Sequence, residues 1–91
     1  MEFEYDEDKS KKNKGKHGIF FEEAEALWND LDLIEIPGRW DASEERVGVI
    51  GRIAGRYWTA FITYRDNKVR IISVRYSRKK EREVYEKKKD G

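Results

Sequence analysis

The feature that most constrains this chain is a run of three strand-forming segments separated by two tight turns. The segments Arg46 to Arg52, Tyr57 to Tyr64 and Val69 to Tyr76 are rich in β-branched and aromatic residues, which fit a pleated, half-buried surface. Ala54-Gly55 and Asp66-Asn67 stand between them at hairpin length. Strands joined so tightly run antiparallel, so residues 46–76 predict a three-stranded meander. Strict alternation then assigns faces. Val47 and Val49 share one face of the first strand and Ile50 takes the other, while Arg46 and Arg52 share a face by parity. In the third strand Arg70 falls with Ile72, Val74 and Tyr76, and Arg75 falls on the opposite face with Val69, Ile71 and Ser73.

Upstream, Phe3 and Tyr5 alternate with Glu2 and Glu4, as in a short strand with one buried face. Asp6 is placed to cap a helix running to about His17, which Gly18 ends in a left-handed conformation. Lys9, Lys12 and Lys16 recur at helical spacing and form a basic stripe. A second helix starts near Phe20 or Phe21, buries Phe21, Ala24, Leu27 and Trp28, and ends at Asn29-Asp30. Leu31 to Ile36 reads as a strand, Pro37-Gly38 as a turn, and Arg39 to Glu44 as a polar loop. After the meander, Ser77 is placed to cap a last helix carrying Glu81, Val84 and Tyr85. The expected class is α+β: a small antiparallel sheet, two N-terminal helices and one C-terminal helix, with the helices on one sheet face.

With 91 residues the chain suffices for a single domain over 1–91. Charged residues are 43% and hydrophobic ones 37%, a balance that leans towards disorder. The 13% aromatic content and the apolar clustering in the centre point the other way. The absence of cysteine excludes disulfides, a thiol nucleophile and thiolate metal sites, and one histidine argues against an imidazole zinc site. No apolar run approaches a membrane span and the first residues do not resemble a signal peptide, so the expectation is a cytoplasmic protein with no membrane partner.

Most catalytic equipment is missing. Gly48, Gly51 and Gly55 lack phosphate-loop spacing, and no Ser-His-Asp set can be assembled. Asp30 and Asp32 read as turn chemistry. What remains is cationic: Arg46, Arg52, Arg70 and Arg75 on strands. Arginine suits phosphate because its planar fork donates two parallel hydrogen bonds and stays charged. Taken singly, each is better read as a solvent-facing arginine paired with Glu44, Glu45 or Glu81. His17 has two readings, a proton-transfer group or a helix-terminal residue bonding a last carbonyl, and locally the second prevails. Of the tryptophans, Trp28 and Trp58 read as core and Trp40 as exposed and able to stack a base.

Several features recur together in one family. Phe3-Glu4-Tyr5-Asp6 with Lys9 and Asn13, Lys16-His17-Gly18, Phe21-Glu22-Glu23-Ala24, Asp30, Glu45-Arg46, Arg70-Ile71-Ile72-Ser73 with Arg75, and Glu81-Arg82 with Tyr85 resemble the BrnT toxins of bacterial toxin–antitoxin systems. The resemblance spans nearly the whole chain. It departs at Tyr5, where the family usually has Trp, at Phe20, where a small polar cap is common, and at Tyr76-Ser77, where Lys-Ala usually follows the arginine; Lys79 or Lys80 stands near enough to substitute.

The resemblance implies a RelE-like fold and a ribonuclease that arrests translation. It also implies a BrnA-type antitoxin whose ribbon-helix-helix part binds operator DNA. On that basis the expected chemistry is metal-independent RNA cleavage without a cofactor. Arg46, Arg70 and Arg75 take the phosphate, Arg82 assists, and His17, Glu81 or Tyr85 handles protons. Lys9, Lys12, Lys16 and Arg52 join Arg82 in holding RNA. The rival is a non-catalytic RNA- or protein-binding module using the same basic residues.

Overall fold

The computed structural model describes residues 1–40 and 45–91 of the chain, with 38–40 and 45 described by their backbone alone. The elements are β1 (Glu2–Glu4), α1 (Glu7–His17), α2 (Phe21–Ala24) continuing into a 3₁₀ turn (Glu25–Asn29), β2 (Ile34–Trp40), β3 (Glu45–Ile53), β4 (Arg56–Arg65), β5 (Lys68–Tyr76) and α3 (Lys79–Asp90). The strands form one sheet in the order β1-β5-β4-β3-β2. The expected meander is its centre. Ala54 and Gly55 have φ of 50° and 83°, and Asp66 and Asn67 have 49° and 65°, so both hairpins turn through two left-handed residues, the twist that matches the flanking strands. β1 adds to β5 in parallel, pairing Phe3 with Val69 and Glu4 with Arg70.

α1 is capped as its sequence dictates: the Asp6 carboxylate accepts from the N–H groups of Asp8 and Lys9, and Gly18 ends the helix at φ 84°. Its inner residues are polar. Ser10 Oγ accepts from the Phe21 N–H at 2.8 Å, and Asn13 bridges the Ile19 carbonyl and the Val74 N–H. Asn13 thereby satisfies a β5 N–H at the sheet edge beyond the short β1. At α2 the uncapped Phe20 leaves the work to Glu23, whose carboxylate accepts from the Phe20 N–H at 2.9 Å.

Ile19, Phe21, Ala24 and Leu27 pack on Val49, Ala60, Ile62, Val69, Ile71 and Val74 to form the core. Gly51 lets this layer close: a Cβ there would meet Leu33 at 2.9 Å and Leu27 at 3.1 Å.

Three expectations are corrected. Pro37 and Gly38 do not turn the chain; β2 runs through them with a register irregularity between Pro37 and Trp40. β2 is the sheet's edge strand, where a missing N–H costs no ladder bond. Of the expected loop, 39–40 is therefore strand, and 41–44 lies outside the described residues, as do the side chains of Trp40, Glu44 and Glu45. Ser77 does not cap α3. The cap lies one residue later, at Arg78, whose N–H donates to Glu81 at 2.7 Å, and Ser77 bonds Thr59. Finally, the helices cover both faces. Tyr85 stacks edge-on against Tyr57, and Glu81 bonds Thr59, so α3 lies on the face opposite α1 and α2.

Candidate functional site

The register of β4 and β5 changes what alternation alone implied. Phe61 pairs with Ser73, but Ile62 pairs with Ile71, leaving Ile72 as the extra residue of a β-bulge. Past the bulge the faces exchange. Val69, Ile71 and Val74 therefore all reach the core, at 2% exposure or less, although their parities differ. By the same shift Arg70, Ser73 and Arg75 share the face of Thr63, Phe61 and Thr59, which α3 meets at its Thr59 and Arg75 end. The two arginines expected on opposite faces stand on one. β3 contributes Gly48, Ile50 and Arg52 to that face, and Arg46 by continued alternation.

Arg75 is fixed on every side. Its Nη1 and Nη2 donate to the two Glu81 oxygens at 2.8 and 2.9 Å, Nη1 also reaches the Tyr76 carbonyl, and the guanidinium stands 5.2 Å over the Phe61 ring. The pair is largely enclosed, with side chains 21% and 16% exposed. Glu81 also accepts from Thr59 Oγ1 at 3.1 Å, and Thr59 bonds Ser77 Oγ at 2.8 Å. Burial opposes ionisation of Glu81, but the guanidinium of Arg75, the Arg78 N–H and the Thr59 hydroxyl outweigh it and hold the carboxyl at about 2. A carboxylate so stabilised is a poor base at neutral pH and a good holder of an arginine. Arg70 is held loosely, 3.8 Å from a Glu4 oxygen. Arg52 lies over the Tyr57 ring at 5.0 Å, and Arg46 is half-buried.

Tyr85 is buried, and its hydroxyl donates to Asp30 Oδ2 at 2.8 Å, not to the Arg75–Glu81 pair. Burial and the Asp30 carboxylate push its ionisation upward. Asp30 is the keystone of that corner. It accepts from the N–H groups of Asp32 and Arg52 as well as from Tyr85, and these donors outweigh burial and lower its pKa. The pair Asp30 and Asp32 is turn chemistry, as its spacing implied.

His17 ends α1, half-buried, and among the described residues its imidazole makes no hydrogen bond, ion pair or ring contact, so the expected bond to a last carbonyl is not formed. The helix runs in the sense of β5. The cap Asp6 feels the charge of Arg70, and Asn13 bonds Val74. His17, four residues after Asn13, lies on the same helix face one turn further, towards the Arg75 end of the strand. Lys9, Lys12 and Lys16 are exposed on α1, and Arg82 is exposed on α3. Among the described residues no group of three His, Cys, Asp or Glu side chains is arranged to hold a metal ion, and no helix is long and apolar enough to cross a membrane.

Thr59 and Phe61 were not singled out from sequence, and Ser77 was read only as a helix cap. The alternation of Tyr57, Thr59 and Phe61 against Trp58, Ala60 and Ile62 was the available signal; what it lacked was knowledge that α3 folds over that face.

Residues 5–81 match the family described as "Ribonuclease toxin, BrnT, of type II toxin-antitoxin system". The chain belongs to that family. Comparison with curated proteins finds no match. Membership in the BrnT family implies RNA as substrate and an antitoxin as partner. The region shared with BrnT toxins contains both Arg70 and Arg75 and closes on Glu81, so the clamped guanidinium lies within it and Arg82 and Tyr85 lie just beyond.

Proposed function

We propose that this BrnT-family chain cleaves RNA without a metal ion, by attack of a ribose 2′-hydroxyl on the adjacent phosphate. The new O2′–P bond forms as the P–O5′ bond breaks in line, leaving a 2′,3′-cyclic phosphate and a 5′-hydroxyl. Such a reaction needs a charge clamp and proton transfer, and the observation that carries the reading is the bulge at Ile72, which puts Arg70 and Arg75 on one face of the sheet. Arg70, Arg75 and Arg46 take the non-bridging oxygens. Arg75 arrives preorganised by Glu81, which is what stabilisation of developing charge requires. Arg52, Arg82 and the lysines Lys9, Lys12 and Lys16 carry flanking phosphates. Glu81 and Tyr85, committed to Arg75 and Asp30, act as holders. Proton transfer falls to His17, one turn beyond Asn13, which bonds the Val74 N–H at the exposed edge of β5, and with no bonded partner among the described residues.

The partner in this reading is a BrnA-like ribbon-helix-helix antitoxin, and the toxin–antitoxin complex binds its own operator DNA through the antitoxin. The site of action is the cytoplasm, where messenger RNA is translated.

The test is expression in a bacterial host alongside RNA cleavage in vitro in EDTA. Wild type arrests growth and cuts; the double variant Arg70→Ala, Arg75→Ala does neither, with a rate loss of roughly a hundredfold or more. Co-expression of a neighbouring ribbon-helix-helix reading frame restores growth. A wild-type chain that leaves growth untouched and produces no cut RNA sinks the enzymatic reading; salt-sensitive RNA affinity without product then favours the binding-module reading.

A further inference from the structure

At the end of the sheet where β4 begins and β5 stops, an open cleft of about 420 Å³ is lined by Arg56, Tyr57, Tyr76, Ser77 and Arg82, with Gly55 at its rim. None of these residues is acidic. Among the described residues neither guanidinium has a carboxylate partner: that of Arg56 bonds the Tyr76 hydroxyl and stands 5.7 Å over its ring, and that of Arg82 makes no hydrogen bond or ion pair. Arg75 and Arg70 by contrast each face a glutamate. Guanidiniums without a carboxylate partner in a concave site are cations available to an anion from outside.

The cleft also holds aromatic surface. Tyr76 is 48% exposed, yet its ring is fixed by stacking on buried Trp58 at 4.3 Å and 16°. An exposed ring held rigid from behind is a platform that loses little entropy when a base stacks on it. The cleft is joined to the clamp as well. Ser77 bonds Thr59, Thr59 bonds Glu81, and Glu81 grips Arg75, while Tyr76 follows Arg75 and Arg82 follows Glu81 in the chain.

We propose that this cleft is the subsite for a nucleotide flanking the cleaved phosphate, with its base against Tyr76 and its own phosphate on Arg56 and Arg82. The inference rests on RNA cleavage at the Arg70–Arg75 face and adds the feature by which this chain selects or anchors a neighbouring nucleotide. A single nucleotide suits the cleft because it presents one anion and one flat π-face together, the pairing of groups that the cleft offers. An acidic peptide of the antitoxin would supply the anion without the flat partner.

The probe is a short fluorescent 2′-O-methyl oligonucleotide, which lacks the attacking hydroxyl, so affinity is read apart from cleavage. Tyr76→Ala and Arg82→Glu each weaken its binding by about tenfold or more. Arg82→Glu also lowers the slope of log affinity against log salt by about one. Arg82 has no partner to lose, so that variant stays informative if Tyr76→Ala, deprived of its Trp58 contact, fails to fold. A nucleoside 5′-monophosphate shifts the amide resonances of Tyr76 and Ser77. Undiminished oligonucleotide affinity in Arg82→Glu, or mononucleotide shifts confined to other residues, overturns the subsite while leaving cleavage to its own test. Lost antitoxin affinity with RNA affinity intact overturns it in favour of a protein-docking cleft. Tyr76- and Arg82-dependent binding by a wild-type chain that cuts nothing upholds the subsite and sinks the cleavage reading alone.

Discussion

The face of the sheet under α1 and α2 carries Val49, Ala60, Ile62, Val69, Ile71 and Val74, all 2% exposed or less, whereas the face under α3 carries Arg52, Thr59, Phe61, Ser73, Arg70 and Arg75. Both are covered by helices and both bury side chains; Thr59 is as inaccessible as Val49. The difference lies in what holds them. The first face is stabilised by non-directional burial, which tolerates small shifts of its members. On the second, Arg75 is held by charge-assisted hydrogen bonds to Glu81, which are directional and fix its guanidinium in one orientation. A protein that must present a guanidinium to a reacting phosphate gains from the second kind of packing; β5 supplies residues to both kinds by alternation, and the bulge at Ile72 puts Arg70 and Arg75 together on the second.

Inserting one alanine between Ser73 and Val74 attacks the comparison directly and carries the largest expected effect. The added residue drives Arg75 towards the apolar face without Glu81 and turns Val74 out of the core, and an unpaired buried charge costs more than a small domain can supply. The expected outcome is loss of the cooperative unfolding transition by circular dichroism. A cooperatively folding insertion variant would show that the faces of β5 are interchangeable.

Leu27→Ala tests the apolar face alone. It should cost roughly 2–5 kcal/mol of stability in urea while leaving activity per folded molecule intact. Arg75→Ala is its counterpart, with a rate loss of about a hundredfold, equivalent to about 2.7 kcal/mol, and a smaller effect on stability. If both variants lose activity and stability in the same proportion, the two faces are not separable as described.

Glu81→Gln sharpens the account of the polar face. The folded pKa of Glu81 is depressed from 4.5 to about 2, so its ionised form contributes stability that is present above pH 4.5 and lost as pH falls towards 2. Wild type should therefore lose stability over that window, and the variant, about 2 kcal/mol weaker at neutral pH, should lose less of it. Equal slopes in both proteins would mean that Arg75 does not hold the carboxylate. The smallest effect is expected for Tyr85→Phe, which removes one hydroxyl from Asp30 at a cost of about 1–2 kcal/mol. It should leave RNA cleavage unchanged; a large rate loss would return Tyr85 to the proton-transfer candidates.

Much of this was legible in local sequence, because it depends on residues within a few positions of one another. Ala54-Gly55 and Asp66-Asn67 make hairpins wherever they are placed, Asp6 and Gly18 bound α1 by their own stereochemistry, and the spacing of Phe21, Ala24 and Leu27 buries that face whatever it meets. The family was legible too, from motifs kept in order along the chain. Other features required partners distant in sequence. Pro37 is a strand residue only because β2 lies at an edge, and Asp30 is a keystone only because Tyr85, 55 residues on, folds back to it. The placement of Arg70 and Arg75 on one face belongs with these. Strand period is local, but register is set between strands, and one extra residue opposite Phe61 and Ile62 moved Arg75 to the side where Glu81 waits.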